Sequence, residues 1–296
     1  MKTRIAPTPS GFLHLGNLLS FAQTWIMVRQ LGGRILLRID DLDASRKRPE
    51  YVNDIFESLE VLGIDWDEGP SGPDDFEQNW SQRHRKELYQ SVLTKIEKEQ
   101  PAFIYACTCS RKELALRPDS SGCSCRNEKK PLNVSSQPSN WKIRTGPDEM
   151  IRIPEISGGS SHVFPGEDPG DFVIRKKDGV AAYQLSSVLD DLHFGIDSIV
   201  RGKDLLPSTG AQIFLSEKLE PLHPNFHKFK SVRFWHHDLV LDKKGEKLSK
   251  SAGAESTGGW IKQAGARMQF FALLAKTRGW QGTPPNTLEP FLSPDY

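Results

Sequence analysis

Apolar positions along the N-terminal third of the chain follow two periods in turn. Residues 2–6 make a short strand candidate closed by Pro7 and Pro9. Ser10-Gly11 then leads into Leu15, Leu18, Leu19, Ala22, Trp25 and Ile26, the spacing of a helix with one buried face. Gly32-Gly33 stops that helix. Arg34-Ile35-Leu36-Leu37-Arg38-Ile39 reads as a buried strand, and it runs into an acidic cluster, Asp40-Asp41-Leu42-Asp43. Strand, loop, helix and strand in so short a stretch predict a βαβ unit with parallel strands. Tyr51, Ile55, Leu59 and Leu62 mark a second helix, residues 65–80 a loop, Leu88, Val92 and Ile96 a third helix, and 102–106 a strand.

The alternation breaks over residues 107–170, where cysteines and prolines surround two short strand candidates, 141–144 and 150–153. It resumes with a strand at 172–175, a turn at Asp178-Gly179, a helix at 185–192, a strand at Ile199-Val200, a helix at 210–219 and a strand at 238–241. A helix is expected at 260–274, ahead of a Pro-rich end. The organisation expected is therefore an α/β, Rossmann-like catalytic domain in two halves, residues 1–106 and 171–251. Residues 107–170 form an inserted α+β module, and 252–296 a short helical C-terminal segment.

Composition narrows the classes. The 296 residues hold 39 Lys+Arg against 38 Asp+Glu, a net charge of +1, which excludes a globally basic nucleic-acid clamp but not a local basic face. No apolar run approaches the ~18 residues of a membrane span, and Met1–Pro7 has no signal core, so a cytoplasmic address is expected. The four cysteines all fall between Cys107 and Cys125. In a reducing compartment such clustering points to metal.

Two segments carry candidate chemistry. In Ala6-Pro7-Thr8-Pro9-Ser10-Gly11-Phe12-Leu13-His14-Leu15-Gly16-Asn17 a strand end feeds a helix N-terminus, whose unpaired N–H groups favour an anion such as phosphate. Gly16 allows close approach to the backbone, and His14 can donate to a phosphate oxygen. Near the other end, Lys247-Leu248-Ser249-Lys250-Ser251 places two lysines within reach of one triphosphate. Lysines facing charge that develops on a transferring phosphorus stabilise the transition state. Either segment alone reads equally well as an ordinary helix start or a solvated basic turn.

Together, His14-Leu15-Gly16-Asn17 and Lys247-Leu248-Ser249-Lys250-Ser251 resemble the HIGH and KMSKS signatures of class I aminoacyl-tRNA synthetases. Asn17 stands for the second His and Leu248 for Met. Further segments resemble the glutamyl and glutaminyl branch: Arg4–Gly11, Arg38-Ile39-Asp40-Asp41-Leu42-Asp43, Gly179–Leu185, Asp190-Asp191 and Val200–Leu205. The resemblance covers about residues 1–255. It implies a ligase that uses ATP with Mg²⁺, with His14, Lys247 and Lys250 catalytic and with Gly16, Asn17 and Ser249 beside them at the nucleotide. It also implies a site for L-glutamate from Arg4, Ala6, Thr8, Asp40, Tyr183 and Arg201. Asp40 stands where glutamyl enzymes carry Glu, which favours glutamine. Arg201, which glutaminyl enzymes lack, would be an uncompensated charge against a neutral amide and favours glutamate. The weight given to Arg201 decides for glutamate.

Cys107-Thr108-Cys109 and Cys123-Ser124-Cys125 can supply four thiolates to a tetrahedral zinc site, although one intervening residue per pair is less standard than two to four. Members of the branch hold structural zinc at the same point through Cys-x-Cys, a tyrosine and a later cysteine. Here Cys123 is expected in place of the tyrosine. Only 45 residues follow Ser251, too few for an anticodon-binding domain of ~100 residues or more. Branch members with that anatomy attach glutamate to the queuosine base in the anticodon of tRNA(Asp), so a monomeric enzyme with that partner is expected. The alternative is a truncated glutamyl-tRNA synthetase charging an ordinary acceptor end. Arg46-Lys47-Arg48, Arg83-His84-Arg85-Lys86 and Lys129-Lys130 are the local basic runs available for RNA.

Overall fold

A computed structural model describes residues 1–110, 113, 123–133, 136–223, 225–240 and 259–293. In chain order the strands are β1 (Lys2–Ile5), β2 (Arg34–Leu37), β3 (Ile104–Cys107), β4 (Asn140–Ile143), β5 (Ile151–Pro154), β6 (Ser160–Val163), β7 (Val173–Arg175), β8 (Ser198–Gly202) and β9 (Arg233–His237). The longer helices are α1 (Leu15–Gln30), α2 (Pro49–Leu62), α3 (Lys86–Glu99), α4 (Tyr183–His193), α5 (Leu206–Leu219) and α6 (Ala266–Thr277). No helix among the described residues is long and apolar enough to cross a membrane. The chain forms two compact units, residues 1–84, 197–204 and 235–296 in one, 85–196 and 205–234 in the other.

The first unit is built on the expected βαβ start. β1 runs parallel to β2 with Lys2 opposite Arg34 and Ile5 opposite Leu37, and α1 is the crossover, burying Leu18, Leu19, Ala22 and Ile26. The ladder continues past both strands. Arg38 N–H donates to Ile5 O at 2.9 Å and Asp40 N–H to Pro7 O at 2.8 Å, which sets the acidic cluster beside the first loop. On the far side of β2, Leu37 N–H donates to Glu68 O at 2.8 Å. Gly69, at φ 125, ends that pairing, where a Cβ would collide with Leu37 O. β8 starts against β1, with Asp197 N–H on Lys2 O at 3.1 Å, and is hydrogen-bonded to β9.

In the second unit β3, β4 and β7 make an antiparallel sheet, and β5 and β6 a hairpin. A buried network joins α4 to the chain entering α3. The Arg85 guanidinium forks onto Asp190 at 2.8 and 3.3 Å, and the Tyr89 hydroxyl donates to the same carboxylate at 2.7 Å. Removing one partner of such a group costs about 3–5 kcal/mol, because the other charge is left buried and unmatched.

Several elements depart from the sequence pattern. Residues 65–80, expected as loop, contain a helical turn at Pro73–Asp75 running into a π-helix at Phe76–Trp80. The Asp75 carboxylate accepts from Ser71 N–H and the Asn79 amide, both at 2.8 Å, and Phe76 is fully buried. The strand expected at 102–106 begins at Ile104, after a 3₁₀ turn at Pro101–Phe103. β7, expected to resume the α/β alternation, instead pairs antiparallel with β4 in the sheet of the inserted region. β6 escapes the pattern because Ser160-Ser161-His162 shows no apolar alternation. The strand expected at 238–241 is instead β9. It buries Phe234 and His236 on alternate positions, and histidine reads as polar in sequence. The helix expected at 260–274 is a 3₁₀ turn, Trp260–Lys262, then α6 after Gly265 in the left-handed region.

Candidate active site

The first loop of unit 1 ends in a capping box on α1. Asn17 N–H donates to His14 Nδ1 at 3.2 Å, and His14 N–H donates back to Asn17 Oδ1 at 3.3 Å. A backbone amide can only donate, so Nδ1 is the acceptor and the ring proton of the neutral imidazole sits on Nε2. Asn17 thus closes the first helical turn and fixes the tautomer of the residue that leads it. No acidic residue occupies that turn itself, which begins beside half-buried Gly16; the carboxylate nearest its start is Asp54, on Leu13 N–H.

Arg4, Asp40 and Arg201 are buried in the same unit, at 6%, 8% and 4% exposure. Arg4 comes from the central part of β1 and Arg201 from β8, which starts beside it. Asp40 is held by a bidentate pair with Arg38, at 2.7 and 3.0 Å. An ammonium at Asp40 would therefore share its carboxylate with a guanidinium. Asp41 is fully engaged elsewhere, accepting from Ser81 Oγ at 2.6 Å, Gln82 N–H at 2.8 Å and Lys47 Nζ at 3.1 Å, and reads as a brace. Burial, and then the neighbouring Arg201 guanidinium, pull the His236 imidazole down to about 4. Ala6 is half-buried and Thr8 exposed. Tyr183, the first residue of α4, belongs to the second unit and is 43% exposed. Lys247, Ser249 and Lys250 lie outside the described residues.

In the second unit the four cysteines converge. Their sulfurs all lie within 4.8 Å of one another, with Cys107–Cys123 at 3.4 Å, Cys109–Cys123 at 3.2 Å and Cys109–Cys125 at 3.8 Å. A tetrahedral ion with bonds of ~2.3 Å needs sulfurs about 3.8 Å apart, so the donor set fits a metal such as zinc. All four are free thiols, and Cys123 sits between the two pairs. β3 delivers Cys107, and a 3₁₀ turn at Ser124–Arg126 presents Cys125. Burial opposes ionisation of Cys125. The Thr108 N–H, the neighbouring thiols and Lys130, whose Nζ donates to its sulfur at 3.4 Å, outweigh that and bring it to about 6. Burial pushes Cys109 to about 11 and raises Cys107 and Cys123.

The basic runs separate into buried or bridged positions and exposed ones, of which Arg83 pairs with Glu77 and Arg48 with Glu50. Lys47 bridges Asp41 and Glu77, Arg85 is buried on Asp190, and Lys130 is tied to Glu128 and Cys125. Arg46, Arg48, Arg83, Lys86 and Lys129 are exposed. One residue near the first loop was not anticipated. Asp54 of α2 is 1% exposed and accepts from Leu13 N–H at 2.7 Å. Burial raises its carboxyl above the usual range, against the pull of that N–H. The signal available in sequence was a carboxylate on the same helical face as Ile55 and Leu62, with Ser58 one turn on.

A family model described as tRNA synthetases class I (E and Q), catalytic domain, matches residues 1–289. A protein of Symbiobacterium thermophilum named glutamyl-Q tRNA(Asp) synthetase is 36% identical over 278 residues, covering 88% of this chain and 81% of its own length. The protein of that name from Pseudomonas fluorescens is 38% identical over 248 residues, covering 84% and 75%. A Syntrophus aciditrophicus protein named glutamate–tRNA ligase 2 is 31% identical and is covered over 58% of its length. Among solved structures, a glutamate-tRNA synthetase from Elizabethkingia anophelis superposes with a TM-score of 0.68 at 26% identity, over 87% of this chain and 54% of that one. The chain thus spans about half the length of that solved structure.

Proposed function

Because the chain belongs to the class I tRNA synthetases of the Glu and Gln group, a family of ligases with an α/β catalytic fold, we propose that it activates L-glutamate with ATP and transfers it to the queuosine base in the anticodon of tRNA(Asp). The observation that carries the first half is the His14–Asn17 capping box. It holds an Nε2–H donor at a helix N-terminus, in the unit that also buries Arg4, Asp40 and Arg201.

In the first step an oxygen of the glutamate α-carboxylate attacks the ATP α-phosphorus. The bond to the bridging oxygen breaks, and pyrophosphate leaves with that electron pair. His14 and the helix terminus, with Lys247 and Lys250, meet the charge that builds on the phosphate oxygens. Mg²⁺ bound to the ATP phosphates would supply further charge neutralisation. Arg4 and Arg201 are the guanidinium groups that pair with glutamate carboxylates, and Asp40 is the partner of its ammonium. In the second step a hydroxyl of the queuosine cyclopentene ring attacks the activated carbonyl and AMP leaves. Cys107, Cys109, Cys123 and Cys125 would hold zinc, which supplies cross-linking of the module around them rather than chemistry at the substrate.

The choice of acceptor is supported by the relatives that match over most of both chains, which carry the queuosine-related name. Incubation with ATP, labelled glutamate and tRNA(Asp) either bearing or lacking queuosine tests it. Label confined to the queuosine-bearing tRNA and stable to removal of the 3′ adenosine is the expected result. Label on both tRNAs, lost with that adenosine, would mean ordinary acceptor charging.

A further inference from the structure

α2 carries one residue that touches both the turn before His14 and the chain that follows Ser251. Asp54 is buried, and its Oδ2 accepts from Leu13 N–H at 2.7 Å, one residue before the capping box. Its other oxygen, Oδ1, has no hydrogen-bond partner among the described residues. That oxygen lies directly against the Cα of Gly259, so closely that a Cβ there would run into it, and Gly259 has φ 79. Phe12 packs on the same point, its ring edge 3.5 Å from where the Cβ would stand, and it meets the Tyr51 ring of α2 edge-on at 5.0 Å. One turn further along α2, Glu57 pairs with Lys262 at 2.7 Å. Four contacts, from Tyr51, Glu57 and twice from Asp54, thus fasten both chain segments to a single helix.

A buried carboxylate with one oxygen lacking a partner among the described residues is costly for folding alone. An apolar residue of the same size would pack α2 without that cost. What the carboxylate adds is a short hydrogen bond to the amide that sets where α1 begins, together with a contact that admits only glycine at residue 259.

We propose that Asp54 is a positioning residue for glutamate activation. It clamps the Phe12-Leu13-His14 turn to the backbone at Gly259, from which the chain leads back to Lys247 and Lys250. It touches neither ATP nor glutamate, and its effect passes through the placement of the His14 imidazole. This inference rests on the activation reading above.

The test uses the full chain, ATP–pyrophosphate exchange driven by glutamate, and amide hydrogen exchange resolved at Leu13. Asp54→Asn keeps an oxygen for Leu13 N–H and should exchange within threefold of the parent. Asp54→Leu keeps the volume but not the acceptor. It should lose at least tenfold in kcat with the KM for glutamate within twofold, and the Leu13 amide should lose its protection. A purely structural residue would move the melting temperature without splitting kcat from KM and without rescue by asparagine. Normal pyrophosphate exchange in both the parent and Asp54→Leu overturns this proposal alone. No exchange in the parent overturns the activation reading and this proposal with it. Should Asp54→Leu not fold, the decision falls to the unmutated protein: a protected Leu13 amide supports the clamp, and one exchanging as freely as an unbonded amide overturns it.

Discussion

His14 caps its own helix through Nδ1, and the proposed role of Nε2 toward a ligand can be separated from that cap by mutation. His14→Ala removes the Nε2–H donor, and by analogy with loss of one oxyanion donor it should lower ATP–pyrophosphate exchange about a hundredfold or more. Asn17→Ala removes only the side-chain half of the cap, the Oδ1 that accepts from His14 N–H, and keeps the backbone N–H that holds Nδ1. It should cost about 1 kcal/mol of stability in a denaturant melt, with a smaller loss of exchange than His14→Ala. An equal loss in both variants would mean that the cap, not the donor, matters. The signature around His14 was legible because its residue types recur in a recognisable order. The work of Asn17 was not, since a substituted histidine gives no hint of a reciprocal hydrogen bond until the turn is built. His236 shows the same limit, being a polar letter that turns out to be core. Its imidazole titrates near 6.5 in the unfolded chain and about 4 in the folded one, so between those values the unfolded state binds more protons. Stability is therefore complete above pH 6.5 and falls as the pH drops toward 4, by roughly 3 kcal/mol at most from this group. A melting temperature that falls from pH 7 to pH 4.5, with the slope reduced in His236→Gln, is the expected result. An unchanged slope would assign the acid sensitivity to other groups.

Among the elements, those with strong periodicity were readable and those fixed by pairing partners were not. α1, α2 and α3 each present a helical apolar face, and each formed near its expected place. β7 was readable as a strand but not in its pairing, because so short an apolar run carries no sign of its partner. Only its register against β4 reveals an antiparallel sheet, and that sheet holds Cys107 at the end of β3. The cysteine cluster consequently sits at the end of a sheet and beside a polar lock. Asp171 accepts from the Tyr105 hydroxyl at 2.9 Å and from Thr145 N–H at 2.9 Å, and pairs with Arg126. A metal bound by four thiolates would join these pieces, since binding energy at such a site is folding energy. Removing it with a chelator should release about one zinc per chain and speed amide exchange over residues 104–145. The β1–α1–β2 region, which belongs to the other unit, should exchange at its former rate. Exchange that rises equally in both units would show global unfolding instead, and release of no metal would leave the four cysteines as reduced thiols.

At the scale of the whole molecule, a net charge of +1 gives no general attraction for RNA, so any tRNA contact must come from local basic positions. The basic runs were visible in the sequence, but their availability depends on which charges the fold has already matched. Lys47 is held between Asp41 and Glu77, and Lys130 beside Cys125 and Glu128, whereas Arg46 and Lys129 are exposed, as is Arg48 in a solvent-facing pair with Glu50. Phosphate contacts release counterions, and each one adds close to one unit to the slope of log affinity against log salt. tRNA(Asp) affinity should therefore fall steeply with salt. Arg46→Glu, Arg48→Glu and Lys129→Glu should each weaken binding and flatten that slope by about one unit where the side chain meets a phosphate. Lys47→Ala makes the contrast, because its ammonium is already matched inside the fold: it should lower the melting temperature and leave the slope as it was. A slope that flattens for Lys47→Ala but not for the three exposed positions would place the RNA away from these basic runs.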